Sequence, residues 1–501
     1  MAIYYVSPSG SDSNNGLGPD ASSSTNKPFL TLNKAIGASG VATAGDTVYL
    51  APGVYRSGTS VGTSGTSGNP ITIQGDPGNA QGFKDSSGNL LSPGGVRCTT
   101  YTNGDTTAAP GAAALSAINR SYLSFSNIWF VGGIPAAGGS GTIDLVSGAH
   151  DISFTACMFS HGLSMSNGYY LANLVNNSAQ LALNITFDRC IFSSFIVNLL
   201  NITLTKTNNG TADYNANVVV QNCLFNGGLN TINIMSSGTG SFLGGGVTVK
   251  NCTALASYGP SVNVADSGIS TTVPNIVQNS ILFKNISANT LGQVVEDYNW
   301  LTGRSNVAAG PRSTSDGSQC LMLDFGQSTL WGQTTKPMGT PTNGSPQLGF
   351  GNASGAPSYD WLNRARPEGG KSLLAGIGYL ERHDTAVQEN SIVDSGSSIR
   401  IDGPGSHEFL IPVDATATSI SVKCYFDANH GTATPPQAIL VAVPEIGVAS
   451  QTVTAPAIAG QWQTLTFSNI TPTTRGVVRV LLTARPSQAS GKAYFDTFVV
   501  S

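Results

Sequence analysis

The chain has 501 residues, of which 40% are hydrophobic and only 10% charged, with 60 Gly, 25 Pro and a net charge of −4. That length exceeds one ordinary core and calls for two or three units, and charge well under the usual quarter leaves the surface to Ser, Thr, Asn and Gly. Dispersed charges with no basic stripe disfavour nucleic acid, and no apolar run approaches the ~20 residues of a membrane helix, so no membrane insertion is expected.

The first residues, MAIYYVSPSGSD, have neither a basic nor an apolar leader region, so no signal peptide is expected and synthesis in a cytoplasm follows. Next, KPFLTLNKAI (27–36) sets Phe29, Leu32 and Ile36 on one helical face. Strands follow at TVYLAPGVY from 47, NPITIQG from 69 and VRCTTY from 96. Six segments then align without gaps: YLSFSNIWF (122–130), DISFTACMF (151–159), NITFDRCIF (184–192), NVVVQNCLF (217–225), GVTVKNCTA (246–254) and PNIVQNSIL (274–282). Their seventh positions, Ile128, Cys157, Cys190, Cys223, Cys252 and Ser280, are spaced 29, 33, 33, 29 and 28 apart. Positions two and four are both apolar in five of the six, the alternation of a strand with one buried face.

A unit of this kind cannot bury its apolar face alone; stacked copies share one continuous core. About nine rungs at roughly 4.8 Å give a rod some 40 Å long. The seventh-position Cys then form an interior column, read as inert apolar packing. Asn127, Asn222, Asn251 and Asn279 at position six form a corner ladder. Seven Cys cannot all pair, and no CxxC of the zinc type occurs.

YYVSPSGSDSNNG, KPFLTLNKAI, AGDTVYLAPGVYR and NPITIQG together resemble the start of right-handed parallel β-helix proteins of the pectate-lyase-like superfamily, over roughly residues 4–300. The resemblance implies an all-β fold with an N-terminal capping helix plugging the stack. It covers polysaccharide lyases, glycoside hydrolases and virus spike, fibre and decoration proteins, so it fixes no single activity. EDYNWL (296–301) is similar to the closing strand of such rods, and 360–381 to a tail folded on their side. From about 388, alternating strands between turn residues signal an antiparallel β-sandwich. GQWQTLTF and KAYFDTFVV resemble jelly rolls of the carbohydrate-binding-module type, which implies a structural calcium at Asp496; the plain alternative is a turn-facing Asp. The expected organisation is an N-terminal cap over 1–45, a parallel β-helix over 46–302, an irregular wrap over 303–387 and a jelly roll over 388–501.

β-Helix lyases need a Lys or Arg base beside a charge-stabilising cation; hydrolases need clustered carboxylates. Position five reads Ser126, Thr155, Asp188, Gln221, Lys250, Gln278, with one carboxylate in the column. Candidate catalytic residues are Arg189, Lys250, His161 and Asp188, each also readable as a surface or ladder residue. Arg189 and Lys250 fall two rungs apart, roughly 10 Å. His150 and His161, with Asp144 and Asp151, form the compact acid–imidazole group of the sequence; both histidines are expected in turns, where solvated loop residues are the plainer reading. Candidate glycan-stacking rings, expected in loops or wraps, are Tyr169, Tyr170, Trp300 and Trp331, with Trp361 beside them, each more readily a packing residue.

Two functional readings compete. The first is a structural or adhesive surface protein of a bacteriophage virion: a capsid decoration, spike or fibre, with other virion proteins and cell-surface polysaccharide as partners and, by resemblance to spikes, a homotrimer. It accounts for low charge, unpaired Cys, a rod and a terminal sandwich. The second is a polysaccharide lyase or glycoside hydrolase carrying a carbohydrate-binding module. The poor charged columns count against it.

Overall fold

The computed structural model describes residues 1–103, 107–108, 113–132, 141–161, 170–194, 198–255 and 257–310, the strand pairs 323–324 with 340–341 and 351–352 with 374–375, and residues 386–389, 398–402, 405–413, 415–442, 447–473, 476–484 and 491–501. Among these residues the first unit is built from three parallel sheets of ten, nine and nine strands. Nine rungs each contribute one strand to each sheet, as in His150–Thr155, Met158–His161 and Tyr170–Val175, and Ile3–Val6 is the tenth strand of the first. This is a parallel β-helix.

The aligned segments pair in register: Leu123 with Ile152, Ile185, Val218 and Val247, and Phe125 with Phe154, Phe187, Val220 and Val249. Both columns point inward. The Phe125, Phe154 and Phe187 rings stack at 5.1 and 5.2 Å, and the second sheet adds Phe159, Phe192 and Phe225 at 4.7 and 4.8 Å. Each fully buried Phe contributes roughly 1.5–3 kcal/mol. The core runs from Val6 to Val307, and the first strand, Ile3–Val6, already belongs to the first sheet.

Position six is where the chain turns from the first sheet to the second. Asn127, Ala156, Arg189, Asn222, Asn251, Asn279 and, on the last rung, Tyr298 all hold φ between 50° and 56° there. Asn tolerates this left-handed conformation best among residues with a side chain. Backbone geometry therefore selects Asn, more than the expected amide ladder: Asn279 Nδ2 does donate to Asn251 Oδ1 (3.4 Å), but Asn222 Nδ2 donates to Asp188 Oδ1 (2.9 Å).

The thiols are buried and free among the described residues, as expected. They are not inert packing. Cys190 N–H donates to Cys223 Sγ at 3.4 Å, Cys252 N–H to Ser280 Oγ at 3.2 Å and Ser280 N–H to Asn299 Oδ1 at 2.9 Å. Each thiol in turn donates to the position-four carbonyl of the rung before, Cys190 to Phe154 and Cys252 to Val220. Position seven thus needs a small side chain that both donates and accepts. Burial pushes the Cys157 and Cys223 thiols well above the usual thiol range.

The two ends of the core differ. A short helix, Leu32–Ile36, buries Leu32, Ala35 and Ile36 and packs on the edge strands Ile3–Val6 and Thr59–Ser60; Phe29 precedes it and is bridged to Val6 instead of sharing its face. On the last rung Glu296 takes the inward column of Val277, and Arg304 that of Ile286. Their side chains are 0% and 13% exposed and pair at 2.7 Å. Asn299 Nδ2 and the Gly310 N–H also donate to Glu296.

The second unit has its own core, from Ile401 to Phe495. An antiparallel five-stranded sheet and a four-stranded sheet enclose it, a β-sandwich as the strand cadence predicts. No helix among the described residues is long and apolar enough to cross a membrane.

Replacing Cys223 by Val strands the Cys190 N–H and is expected to cost about 1–3 kcal/mol; Cys223→Ser keeps an acceptor and loses less than half of that. Equal losses in urea denaturation would remove the thiol from this role. Glu296→Ala leaves Arg304 buried and unpaired and is expected to cost about 3–5 kcal/mol. The double change Glu296→Met, Arg304→Met should recover most of the loss, and a double variant no better than the single would disprove the pairing argument.

Candidate functional site

The sequence-nominated charges cluster at the corner after the first sheet. Asp188 faces outward from Ile185–Asp188, yet its side chain is only 7% exposed. One carboxylate oxygen accepts from Arg189 Nε at 3.0 Å; the other accepts from Gln221 Nε2 at 3.1 Å and Asn222 Nδ2 at 2.9 Å. All three donors come from the corner itself, so this carboxylate holds the corner together. Arg189 is committed to that carboxylate from a left-handed backbone. Lys250 lies two strands further along, since Asp188 pairs with Gln221 and Gln221 with Lys250. The structure therefore brings Asp188 and Arg189 together and leaves Lys250 apart.

The expected acid–imidazole group is divided among the sheets. His150 opens a first-sheet strand and His161 closes a second-sheet strand, so neither lies in a turn. The reason is the pairing of both ends, Ser121 with His150 and Gly132 with His161. His150 Nδ1 meets Asp151 Oδ2 at 2.5 Å and its ring lies edge-on to Tyr122, while Asp151 also accepts from Asn184. The His161 side chain lies outside the described residues.

Asp144 stands on the third sheet, at the head of a column that the aligned segments do not contain. Asn173 Nδ2 donates to Asp144 Oδ1, Asn201 to Asn173, Asn233 to Asn201 and Asn263 to Asn233, at 3.4, 3.1, 2.9 and 2.9 Å. Asn173, Asn201 and Asn233 are 1–4% exposed although they face away from the core columns. Burial raises the Asp144 carboxyl above the usual carboxylate range, against the lowering effect of the Gly141 N–H and Asn173. The signal was present in LANLV, LLNITL, TINIM and SVNVA, a second series offset from the first.

Tyr170 opens the strand Tyr170–Val175 and does not sit in a loop; partial burial raises its phenol. Trp300 opens the strand Trp300–Leu301, its side chain outside the described residues, as are Tyr169, Trp331 and Trp361. An aromatic site missed in the sequence is Trp129, whose ring carries the Arg97 guanidinium at 4.7 Å and whose Nε1 donates to Ser160 Oγ at 2.8 Å. Asp496 lies within the strand Lys492–Val500, buried and paired in register with Lys423, so it is not turn-facing. Among the described residues no group of three or more His, Cys, Asp or Glu is placed to hold a metal ion.

No family model matches the sequence, and no curated protein matches it. Among solved structures, pectate lyase Pel9A is similar at 17% identity and TM-score 0.41, over 76% of this chain and 97% of that one. Tailspike protein gp49 of Acinetobacter baumannii bacteriophage Fri1, a capsular polysaccharide depolymerase, is similar at 13% identity and TM-score 0.28, over 89% and 81%. TmCBM61, solved with β-1,4-galactotriose, is similar at 20% identity and TM-score 0.17, over 22% and 72%. These likenesses are remote, and the fold rests on the strand pairings themselves: the chain is a parallel β-helix protein with a C-terminal antiparallel β-sandwich.

Proposed function

We propose that this chain is an adhesive surface component of a bacteriophage particle that holds polysaccharide without cutting it. The observation that carries the reading is the commitment of Asp188 and Arg189 to each other and to Gln221 and Asn222. A retaining or inverting hydrolase needs two carboxylates poised about 5–9.5 Å apart across a sugar. A lyase needs a base beside a second positive charge. Asp188 and Arg189 serve the corner instead, and Lys250 stands two strands away from them. Buried free thiols suit folding in a reducing cytoplasm before service outside it. On this reading the partners are other virion proteins and cell-surface polysaccharide, and the assembly is a homotrimer on the virion surface.

A second reading, a depolymerase, is favoured by Asp144, whose raised carboxyl has the character of a general acid. The two are separated by incubating the protein with bacterial and algal polysaccharides, following reducing ends, unsaturated-uronate absorbance and retention. Retention without product is expected, unchanged in Arg189→Asn and Lys250→Ala. Product that disappears in Asp144→Asn would establish the depolymerase. Mass spectrometry of gradient-purified particles should find this chain, and its absence would refute the particle assignment.

A further inference from the structure

Where the chain enters the first sheet, position one of the aligned segments carries a second line of left-handed residues. Tyr122, Asp151, Asn184, Asn217 and Gly246 hold φ of 55°, 54°, 48°, 51° and 79° there. Asn and Gly suit that conformation, whereas a tyrosine in it costs roughly 1–2 kcal/mol. A strained residue of this kind points to a use for its side chain.

The next rung sets a histidine beside it. Ser121 pairs with His150, and the Tyr122 and His150 rings meet edge-on at 5.6 Å. His150 Nδ1–H donates to Asp151 Oδ2 at 2.5 Å. Asp151 Oδ1 accepts from Asn184 Nδ2 at 3.2 Å, and Asn184 Oδ1 from Asn217 Nδ2 at 2.9 Å, so two further rungs fix the carboxylate. An imidazole held in this way presents the lone pair of Nε2, the tautomer of a general base. Among the described residues neither Nε2 nor the Tyr122 hydroxyl has a hydrogen-bond partner. The His150 and Asp151 side chains are 22% and 30% exposed, within reach of a substrate from solvent. Arg120, the cation of this corner, accepts the His150 N–H on its carbonyl and donates from Nε to the Val61 carbonyl at 3.1 Å. Cleaving a glycosidic bond takes two carboxylates, and eliminating across a uronate takes a cation beside the base. Hydrolysing an ester takes one base and a water molecule.

We propose that Tyr122, His150 and Asp151 form a site that hydrolyses acyl esters on sugar hydroxyls. This rests on the polysaccharide-holding reading above and adds a chemistry that trims the polymer without cutting its chain. His150 Nε2 takes a proton from water as the water oxygen bonds to the acyl carbon. The Tyr122 hydroxyl donates a hydrogen bond to the carbonyl oxygen as that oxygen gains charge. The bond from the acyl carbon to the sugar oxygen then breaks, and the sugar oxygen takes the proton from the imidazolium. A carboxylic acid and a free sugar hydroxyl remain. Asp151 touches neither water nor ester; it is a positioning residue that keeps the Nδ1 proton in place.

The test is release of acetate from acetylated xylan, glucomannan and alginate, and of nitrophenolate from p-nitrophenyl acetate, by the full chain. Retention on the three polymers is followed alongside. Release is expected, reduced about hundredfold or more in His150→Gln. Asp151→Asn should lower kcat about tenfold with KM unchanged. Asn suits the left-handed backbone and still accepts from Asn184, so that loss is not a loss of fold. Tyr122→Phe should lower kcat about tenfold or more, and Lys250→Ala should leave release as it is. Release that survives His150→Gln overturns this site. No release from any of the four substrates overturns the activity, and retention in that case leaves the polysaccharide-holding reading intact. A chain that neither releases acetate nor is retained defeats both.

Discussion

Everything in the first unit depends on one turn, the step from the first sheet to the second. The chain must adopt a left-handed residue at position six, and the following N–H then points along the stack with no backbone carbonyl opposite it. A buried orphan donor costs about 1–3 kcal/mol, and the corner recurs on every rung, so a fold without a remedy would not be stable. The remedy is a side-chain atom from the next rung: Cys223 Sγ for Cys190, Ser280 Oγ for Cys252, Asn299 Oδ1 for Ser280. Cys, Ser and Asn are interchangeable there because all three are small acceptors with a proton to donate.

Stacking also explains the scarcity of charge. Every outward column repeats at about 4.8 Å, and like charges at that separation, with an effective dielectric near 20, repel by about 3.5 kcal/mol. Amides and hydroxyls pay no such penalty and gain a hydrogen bond per rung. The Asn173, Asn201, Asn233, Asn263 column is the clearest case, its amides all donating in one direction and ending on the Asp144 carboxylate. A composition with 10% charged residues is therefore a consequence of architecture before it is a clue to function.

This divides what the sequence reveals from what it hides. The first-sheet repeat was legible because its nine positions run from strand through corner to strand with no variable connection between them. The third-sheet series was missed because stretches of changing length separate it from the aligned segments, so its Asn spacing is visible only once a register is known. The histidines were misplaced for a related reason: GAHD and SHG carry turn chemistry, yet pairing with Ser121 and Gly132 draws both residues into strands. The Cys column was placed correctly and its chemistry misjudged, since hydropathy reports burial but not the N–H groups of Cys190 and Cys252 that take a side-chain acceptor from the next rung. In the sandwich the strands were legible from alternation. The contact of the Tyr425 ring with Trp462 and Tyr494, at 5.6 Å each, was not, because it joins residues distant in sequence.

The ends of the stack show the same logic inverted. Within the core columns a charge would be intolerable, since desolvation alone costs several kcal/mol per ion. The last rung nevertheless places Glu296, Asn299 and Arg304 in columns held below by Val277, Ser280 and Ile286. Each then finds its partner within the same rung or in the Gly310 N–H that follows. A further rung stacked on these residues would bury their charges against apolar neighbours that offer no hydrogen bonds. At the first end an apolar helix, Leu32–Ile36, packs on the edge strands Ile3–Val6 and Thr59–Ser60. At the last end the chain has to stop repeating, and a buried charge pair is a stronger instruction to stop than a missing hydrophobe.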